Sequence, residues 1–317
     1  MVSALSLVLP FPMIPAWLNS IYPFTPHRFT TPGGAQMSYL DEGGRGQGSA
    51  SAAAPTSEAV LMLHGNPTWS FYYRDLVKTL APSFRCIVPD HIGMGMSDKP
   101  ESYNYTLGQR IDDIAALVAH LGLTRIHLVV HDWGGAIGFG FASRHPQMIG
   151  RIVILNTGAF PSTRIPARIS LCKSTFPGTA LVRGMNGFAW PATWMSMARR
   201  ELSAAEKRGY LMPYDSWAHR VAVNAFVKDI PLSPDHPSWP ALVATAEGIS
   251  RFRGNPVIII WGGRDFCFND SFYAEWRKRL PESESLYLPD AGHYVLDDAR
   301  EQVLPRISSF FTACATG

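Results

Sequence analysis

The sequence predicts an α/β protein, a mostly parallel central sheet flanked by helices and interrupted once by an inserted helical cap. Three observations carry that prediction. Short apolar, β-branched runs alternate with amphipathic stretches from residue 36 to the end. One of these runs leads straight into an Asp-Trp-Gly-Gly turn at 132–135 and then into a helix-like segment. A long aromatic- and Met-rich stretch, 160–254, contains no strand-like run.

Taken in order, residues 1–34 form an apolar arm. Its first 24 residues lack a basic leading region and a small-residue cleavage site, and they carry Pro10, Pro12, Pro15 and Pro23. Prolines at that density break a short helix, which argues against a secretory signal or a spanning helix. Composition favours an arm packed on the domain surface. The alternative is a greasy arm that touches a membrane surface or partner enzymes.

Strands are expected at 36–40, 60–63, 85–89, 126–131, 152–155, 257–261 and 285–288. Between the first two, 43–55 is rich in Gly, Ala and Ser and reads as a surface loop. Residues 110–120 put Ile111, Ile114, Ala115, Leu117 and Val118 on one helical face. Strands alternating with such helices imply a parallel sheet covered on both faces. The core then comprises 35–159 and 255–317. The insertion 160–254 reads as a cap over the carboxyl end of the sheet, where open α/β sheets bind ligands. Its Trp190, Trp194, Tyr210, Tyr214 and Trp217 are candidate pocket residues, although a stripe of this kind also packs as ordinary core.

Composition narrows the function classes. The 317 residues are 46% apolar, and a net charge of +3, scattered along the chain, suggests no nucleic-acid surface. Cys86, Cys172, Cys267 and Cys314 are far apart and show no metal-ligand spacing, so they read as reduced thiols of a cytoplasmic protein. Gly93-Met94-Gly95-Met96 lacks the third glycine of a dinucleotide loop. No cofactor or metal is expected, and the partner is a hydrophobic small-molecule substrate.

The chemistry concentrates at four strand ends. The run 126–131 enters Asp132-Trp133-Gly134-Gly135 in the strand–turn–helix context of a nucleophile elbow, with Asp132 where a serine usually stands and Val130 where the first glycine would be. The glycine pair is expected to make the turn, and the helix terminus to hold the Asp132 carboxyl below neutral. Asp is also a preferred helix cap, a purely structural alternative. As a nucleophile, a carboxylate attacking an ester carbonyl makes a reversible anhydride, whereas attack on saturated carbon makes a stable alkyl ester. Carbon–halogen, epoxide or strained-ring C–O cleavage is therefore favoured over esterase chemistry.

Leu63-His64-Gly65-Asn66-Pro67-Thr68-Trp69 follows a strand, and its Asn66 N–H pairs with that of Trp133 as anion donors. The Asn66 amide and Trp133 indole could also hold a leaving anion, and His64 reads as structural. His293, in Asp290-Ala291-Gly292-His293-Tyr294, is the expected base, and Asp265 after the run 257–261 the acid that orients it. Asp90 and Asp98 of Pro89-Asp90-His91-Ile92-Gly93-Met94-Gly95-Met96-Ser97-Asp98 read as turn holders near the pocket floor.

These motifs, in this order, resemble the haloalkane dehalogenase branch of the α/β-hydrolase superfamily. The resemblance implies Asp132 as nucleophile, His293 as base, Asp265 as acid and Asn66 with Trp133 as the halide-stabilising pair. The acid at 265 is similar to the third subfamily, since Asn156-Thr157-Gly158 stands where the second would carry a Glu. Tyr22-Pro23-Phe24 with His27-Arg28-Phe29, the stretch 213–220 and the stretch 226–232 resemble the β-lactone decarboxylases of bacterial long-chain olefin biosynthesis. That likeness implies opening of a cis-3,4-dialkyl-oxetan-2-one to CO2 and a cis-alkene. It also implies contact with other olefin-pathway enzymes or a membrane surface through the arm. Three rivals stay open: haloalkane hydrolysis, epoxide hydrolysis using Tyr210 and Tyr214 as donors, and a binder on an inactive scaffold.

Overall fold

The computed structural model describes residues 14–44 and 56–313. The first part of the arm, most of the 43–55 linker and Cys314 lie outside the described residues.

One eight-stranded sheet runs in the order β1-β2-β4-β3-β5-β6-β7-β8. Its strands are β1 (His27–Thr30), β2 (Gln36–Glu42), β3 (Glu58–Leu63), β4 (Cys86–Pro89), β5 (Arg125–Asp132), β6 (Ile149–Thr157), β7 (Val257–Gly262) and β8 (Glu284–Leu288). β1 and β2 pair antiparallel at one edge, and every pairing from β4 to β8 is parallel. β1 is not among the expected strands. Its four residues, His-Arg-Phe-Thr, are too short and polar to show a period, and they join the sheet instead of belonging to the arm.

Side chains along each central strand alternate between two apolar clusters, as the two-residue strand period requires. Leu61, Leu63, Leu128, Val130 and Ile154 face one cluster. Here they meet Ile111 and Ile114 of α2 (Leu107–His120) and Phe139 of α3 (Trp133–Arg144). Val60, Met62, Val129, Val153 and Leu155 face the other, with Leu76 and Val77 of α1 (Arg74–Leu80). The arm's described part lies in this second cluster. Leu18 and Tyr22 are fully buried, and the Tyr22 hydroxyl hydrogen-bonds Ser70 Oγ at 2.7 Å.

Between β6 and β7 the chain forms α4 (Ala167–Lys173), α5 (Phe176–Thr179), α6 (Ala189–Met195), α7 (Ala204–Leu211), α8 (Val221–Lys228) and α9 (Trp239–Gly248). α9 packs against α2 and α3, with Leu242 and Ala246 in the same cluster. Then come α10 (Asp270–Arg279), α11 (Val295–Asp298) and α12 (Arg300–Thr312). α12 covers the second cluster through Val303 and Ile307.

A buried charge cluster ties the cap to the core. Arg74 of α1 bonds Asp297 of α11 at 2.5 Å and Glu206 of α7 at 3.0 Å. Arg200 and Arg300 also reach Glu206, at 2.9 and 2.6 Å, and Tyr210 donates its hydroxyl proton to Asp297. Ser203 and Glu206 form a reciprocal capping box at the start of α7, so the same glutamate caps a helix and anchors it.

Candidate active site

β5 ends at Asp132 and α3 begins at the next residue. Asp132 has φ 51° and ψ −127°, a left-handed backbone that costs a non-glycine residue about 1–3 kcal/mol. The turn is thus made by the nucleophile itself, not by the glycine pair. Gly134 instead permits a close approach. A Cβ there would lie 1.9 Å from the Leu63 carbonyl oxygen, so the glycine lets α3 sit against the end of β3. Gly65 works likewise, since a Cβ there would meet Asp132 Oδ1 at 2.0 Å.

The Asn66 backbone N–H donates to Asp132 Oδ1 at 2.7 Å, and the Trp133 backbone N–H donates to the same carboxylate. Thr157 Oγ1 donates to the Asp132 carbonyl oxygen. Burial nevertheless pushes the Asp132 carboxyl above its ordinary range, against the pull of His293 and the two N–H groups. Desolvation is the largest influence on this carboxyl, ahead of His293 and the two N–H donors.

His293 Nε2 lies 3.6 Å from Asp132 Oδ2, and its Nδ1 is 2.7 Å from Asp265 Oδ2. Asp265 is itself held by the Cys267 and Phe268 N–H groups at 2.6 and 3.0 Å. Asn156 Nδ2 donates to its second oxygen at 3.0 Å. Burial opposes a charged His293, but Asp265 and then Asp132 outweigh it, and its affinity for a proton is raised. The His131 ring Nε2 lies 3.0 Å from the His293 carbonyl oxygen and steadies the loop from below.

Above these groups lies a cavity of about 190 Å³. Asp132, Asn66, Trp133 and His293 form its floor, and Ile169, Leu181, Phe188, Pro191, Val227 and Phe266 its walls. The Asn66 side-chain amide, assigned above to a leaving anion, commits one N–H to the Val223 carbonyl of α8 at 3.0 Å. Its Oδ1 is buried without a partner among the described residues.

None of the five cap aromatics lines this cavity. Tyr210 is buried with its hydroxyl on Asp297, and Tyr214 is buried with its hydroxyl 3.5 Å from the Thr68 carbonyl oxygen. Trp190, Trp194 and Trp217 point outward and are exposed. The pocket walls are instead aliphatic residues with Phe188 and Phe266, which the aromatic stripe concealed.

The chain as a whole has counterparts among known proteins. The family model described as alpha/beta hydrolase fold matches residues 58–299, from β3 to α11. This chain belongs to the α/β-hydrolase fold family. It is 43% identical over 305 residues to a cis-3-alkyl-4-alkyloxetan-2-one decarboxylase of Shewanella oneidensis, covering 94% of this chain and 92% of that protein. A protein of the same name from Xanthomonas campestris is also 43% identical, over 91% of this chain and 96% of its own length. Among solved structures, the haloalkane dehalogenase DbeA from Bradyrhizobium elkani superposes with a TM-score of 0.78 at 25% identity, over 90% of this chain and 97% of that one.

Other parts of this α/β-hydrolase fold hold the loop that carries Asn66. His64 keeps Nδ1 2.8 Å from the Gly65 carbonyl oxygen and accepts the His91 N–H on Nε2 at 3.1 Å. Burial lowers its pKa to about 4, so the ring is neutral and structural. Asp90 accepts the Ser70 and Met96 N–H groups at 2.7 and 2.9 Å, and burial raises its pKa to about 6. Asp98 accepts the Gln36 N–H at 2.9 Å and so ties this turn to β2. Asn156 is the functional residue that the sequence concealed. In the sequence it marks only the absence of a glutamate, and its contact with Asp265 needs two strand ends brought together.

Proposed function

We propose that this chain converts cis-3,4-dialkyl-oxetan-2-ones to a cis-alkene and CO2, with Asp132 as the nucleophile. The observation that carries the reading is a buried carboxylate, gripped by two backbone N–H groups, under an apolar cavity in a chain 43% identical along nearly its whole length to decarboxylases of that name. An engineered dry cavity of about 150 Å³ holds a benzene, so one of this size accepts the four-membered ring.

An Asp132 Oδ attacks the ring carbon C4 from behind, and the C4–O bond breaks to leave a carboxylate on C3. Inversion at C4 sets the new aspartyl ester anti to that carboxylate. The C3–CO2 bonding pair then forms the C3=C4 bond as the C4–O(Asp132) bond breaks. CO2 leaves and the Asp132 carboxylate is restored. Inversion followed by anti loss makes a cis ring yield a cis-alkene, and no water is consumed. The Asn66 and Trp133 N–H groups stabilise the departing Asp132 carboxylate, a contribution of about 3 kcal/mol per donor in comparable sites. His293, held by Asp265 and with its affinity for a proton raised, lies beside the same charge.

Haloalkane hydrolysis is the second reading, favoured by His293 itself. Its Nε2 stands where a base would activate water against an alkyl-Asp132 ester. Epoxide hydrolysis loses its donors, because Tyr210 and Tyr214 are buried away from the cavity. The three described cysteines are free thiols, which fits a reducing, cytoplasmic setting.

The test offers the purified protein a cis-dialkyl β-lactone and, separately, 1-bromo- and 1-iodoalkanes. Alkene and CO2 without comparable halide release are expected. Brisk bromide release with an inert lactone would replace this reading by the second.

A further inference from the structure

The large apolar side chains that remain exposed among the described residues gather on one part of the molecule. Apart from Tyr287 they all lie in the cap, and five of them, Leu171, Phe176, Met185, Trp190 and Trp194, fall between α4 and α6. Phe176 is 80% and Met185 76% exposed, far beyond what a packed helix surface leaves open. Trp190 and Trp194 stand with ring centres 4.3 Å apart and both remain exposed. Leu171 is 53% exposed and also lines the catalytic cavity, which places the cavity mouth on this face. Arg168, exposed, lines the same mouth.

Charge is sorted onto the same segment. From 160 to 200 the sequence contains Arg164, Arg168, Lys173, Arg183, Arg199 and Arg200 and no Asp or Glu. Arg183, Arg199 and Arg200 are answered by Glu101, Asp290 and Glu206 from elsewhere. No ion pair is found for Arg164 or Arg168 among the described residues, and both are exposed. Lys173 and the adjacent Lys228 donate only to backbone carbonyls.

We propose that this face of the cap, from α4 to α6, docks on an anionic lipid bilayer and opens the cavity mouth onto it. Exposed Trp, Phe, Leu and Met beside unpaired Arg and Lys is the composition of an interfacial surface: the rings and chains enter the headgroup boundary while the cations meet lipid phosphate. Among the described residues no helix is long and apolar enough to cross a membrane, so the contact lies in the interface plane. The benefit rests on the reaction proposed above. A lactone with two alkyl chains and a dialkyl alkene both partition into lipid, so a mouth at the interface takes up one and returns the other without crossing water. Lipid is favoured over a protein partner because unpaired cations at two separated positions match a surface of diffuse negative charge without requiring carboxylates at fixed points.

The test uses the full chain and sucrose-loaded vesicles, either pure phosphatidylcholine or phosphatidylcholine mixed with phosphatidylglycerol. The protein should sediment with the mixed vesicles with a blue shift of tryptophan emission, and bind pure phosphatidylcholine more weakly. Added salt should release it, since exposed charges are screened within about 10 Å at 0.1 M. The double variant Phe176→Glu, Trp190→Glu should lower vesicle partitioning about tenfold or more. Phe176→Ser alone, at a side chain that supports no core, should lower it less. Neither residue lines the cavity, so turnover of a short-chain lactone in detergent-free buffer should stay unchanged. A wild-type chain that ignores anionic vesicles overturns the proposal, and so does a double variant that binds them as the wild type does. Capture by another protein without lipid binding overturns it too. Vesicle binding is read without substrate, so an inert lactone would defeat the reaction and leave the docking result standing.

Discussion

At the floor of the pocket, each acting side chain is held by directional bonds from the ends of different strands. Asp132 has two N–H donors, Asp265 has two N–H donors and Asn156, and His293 is fixed between the two carboxylates. The roof is different. Ile169, Leu181, Phe188 and Val227 meet the cavity through apolar surface alone, and α4 to α6 leave large hydrophobics in the open. Its firmest attachments lie at α7, through the Arg74, Glu206 and Asp297 cluster, and at the ends of α8, where Asn66 holds the Val223 carbonyl and Arg110 pairs with Asp229. The contrast separates two jobs. Geometry at the floor decides the reaction, whereas the roof is free to vary with what must be admitted.

Several changes would break or sharpen this contrast. The largest effect is expected at the α7 attachment. Arg74→Met leaves Asp297 and Glu206 buried with less compensation and should destabilise the fold by about 3–5 kcal/mol, measured by urea unfolding. A loss below about 1 kcal/mol would mean that the cluster does not anchor the roof. Next, Gly65→Ala drives a methyl into the Asp132 carboxylate. A displacement near 1 Å should lower kcat about a hundredfold while the thermal midpoint changes little.

Acid sharpens the comparison at a third site. Buried His64 has a pKa of about 4 in the fold and about 6.5 in the unfolded chain, so unfolding takes up a proton below pH 6.5. Its stabilising effect is complete above that pH, falls as pH drops and is gone below about 4. By pH 5 the loss is about 2 kcal/mol. His91 and His131 shift in the same direction, chiefly by burial, so they add to it. Asp90, raised to about 6 by burial, acts oppositely because its folded form takes up a proton first, and with Asp132 and His293, raised likewise, it offsets part of the loss. The urea midpoint should therefore be lower at pH 5 than at pH 7, and an unchanged midpoint would contradict the neutral assignment of these rings. The smallest effect belongs to the roof: Leu181→Ala should move KM, or the preferred chain length, by less than tenfold and leave kcat unchanged.

Legibility in the sequence follows the same division. Seven strands and the four strand-end motifs can be read because each is local: an apolar run, a turn and a reactive residue lie within a dozen positions. Asp132, His293, Asp265 and Asn66 are found that way, and the structure brings them together around one cavity. β1 is hidden because an edge strand of four mixed residues has no period. Asn156 is hidden because its role exists only across two strands. The cap aromatics mislead for a physical reason: Trp and Tyr signal a packed or a lipid-facing surface as readily as a binding wall. The burial that opposes the charge on Asp132 is hidden because burial depth is not written in a motif.

The most direct test compares wild type with Asp132→Asn on a cis-dialkyl β-lactone, reading alkene and CO2 by mass. Asn keeps the size and tolerates the left-handed backbone at φ 51°, so the fold should be preserved. The carboxylate account expects one CO2 per cis-alkene from the wild type and a loss of about 10⁴-fold or more in the variant. A variant that still makes alkene at a comparable rate would show that Asp132 does not attack the ring.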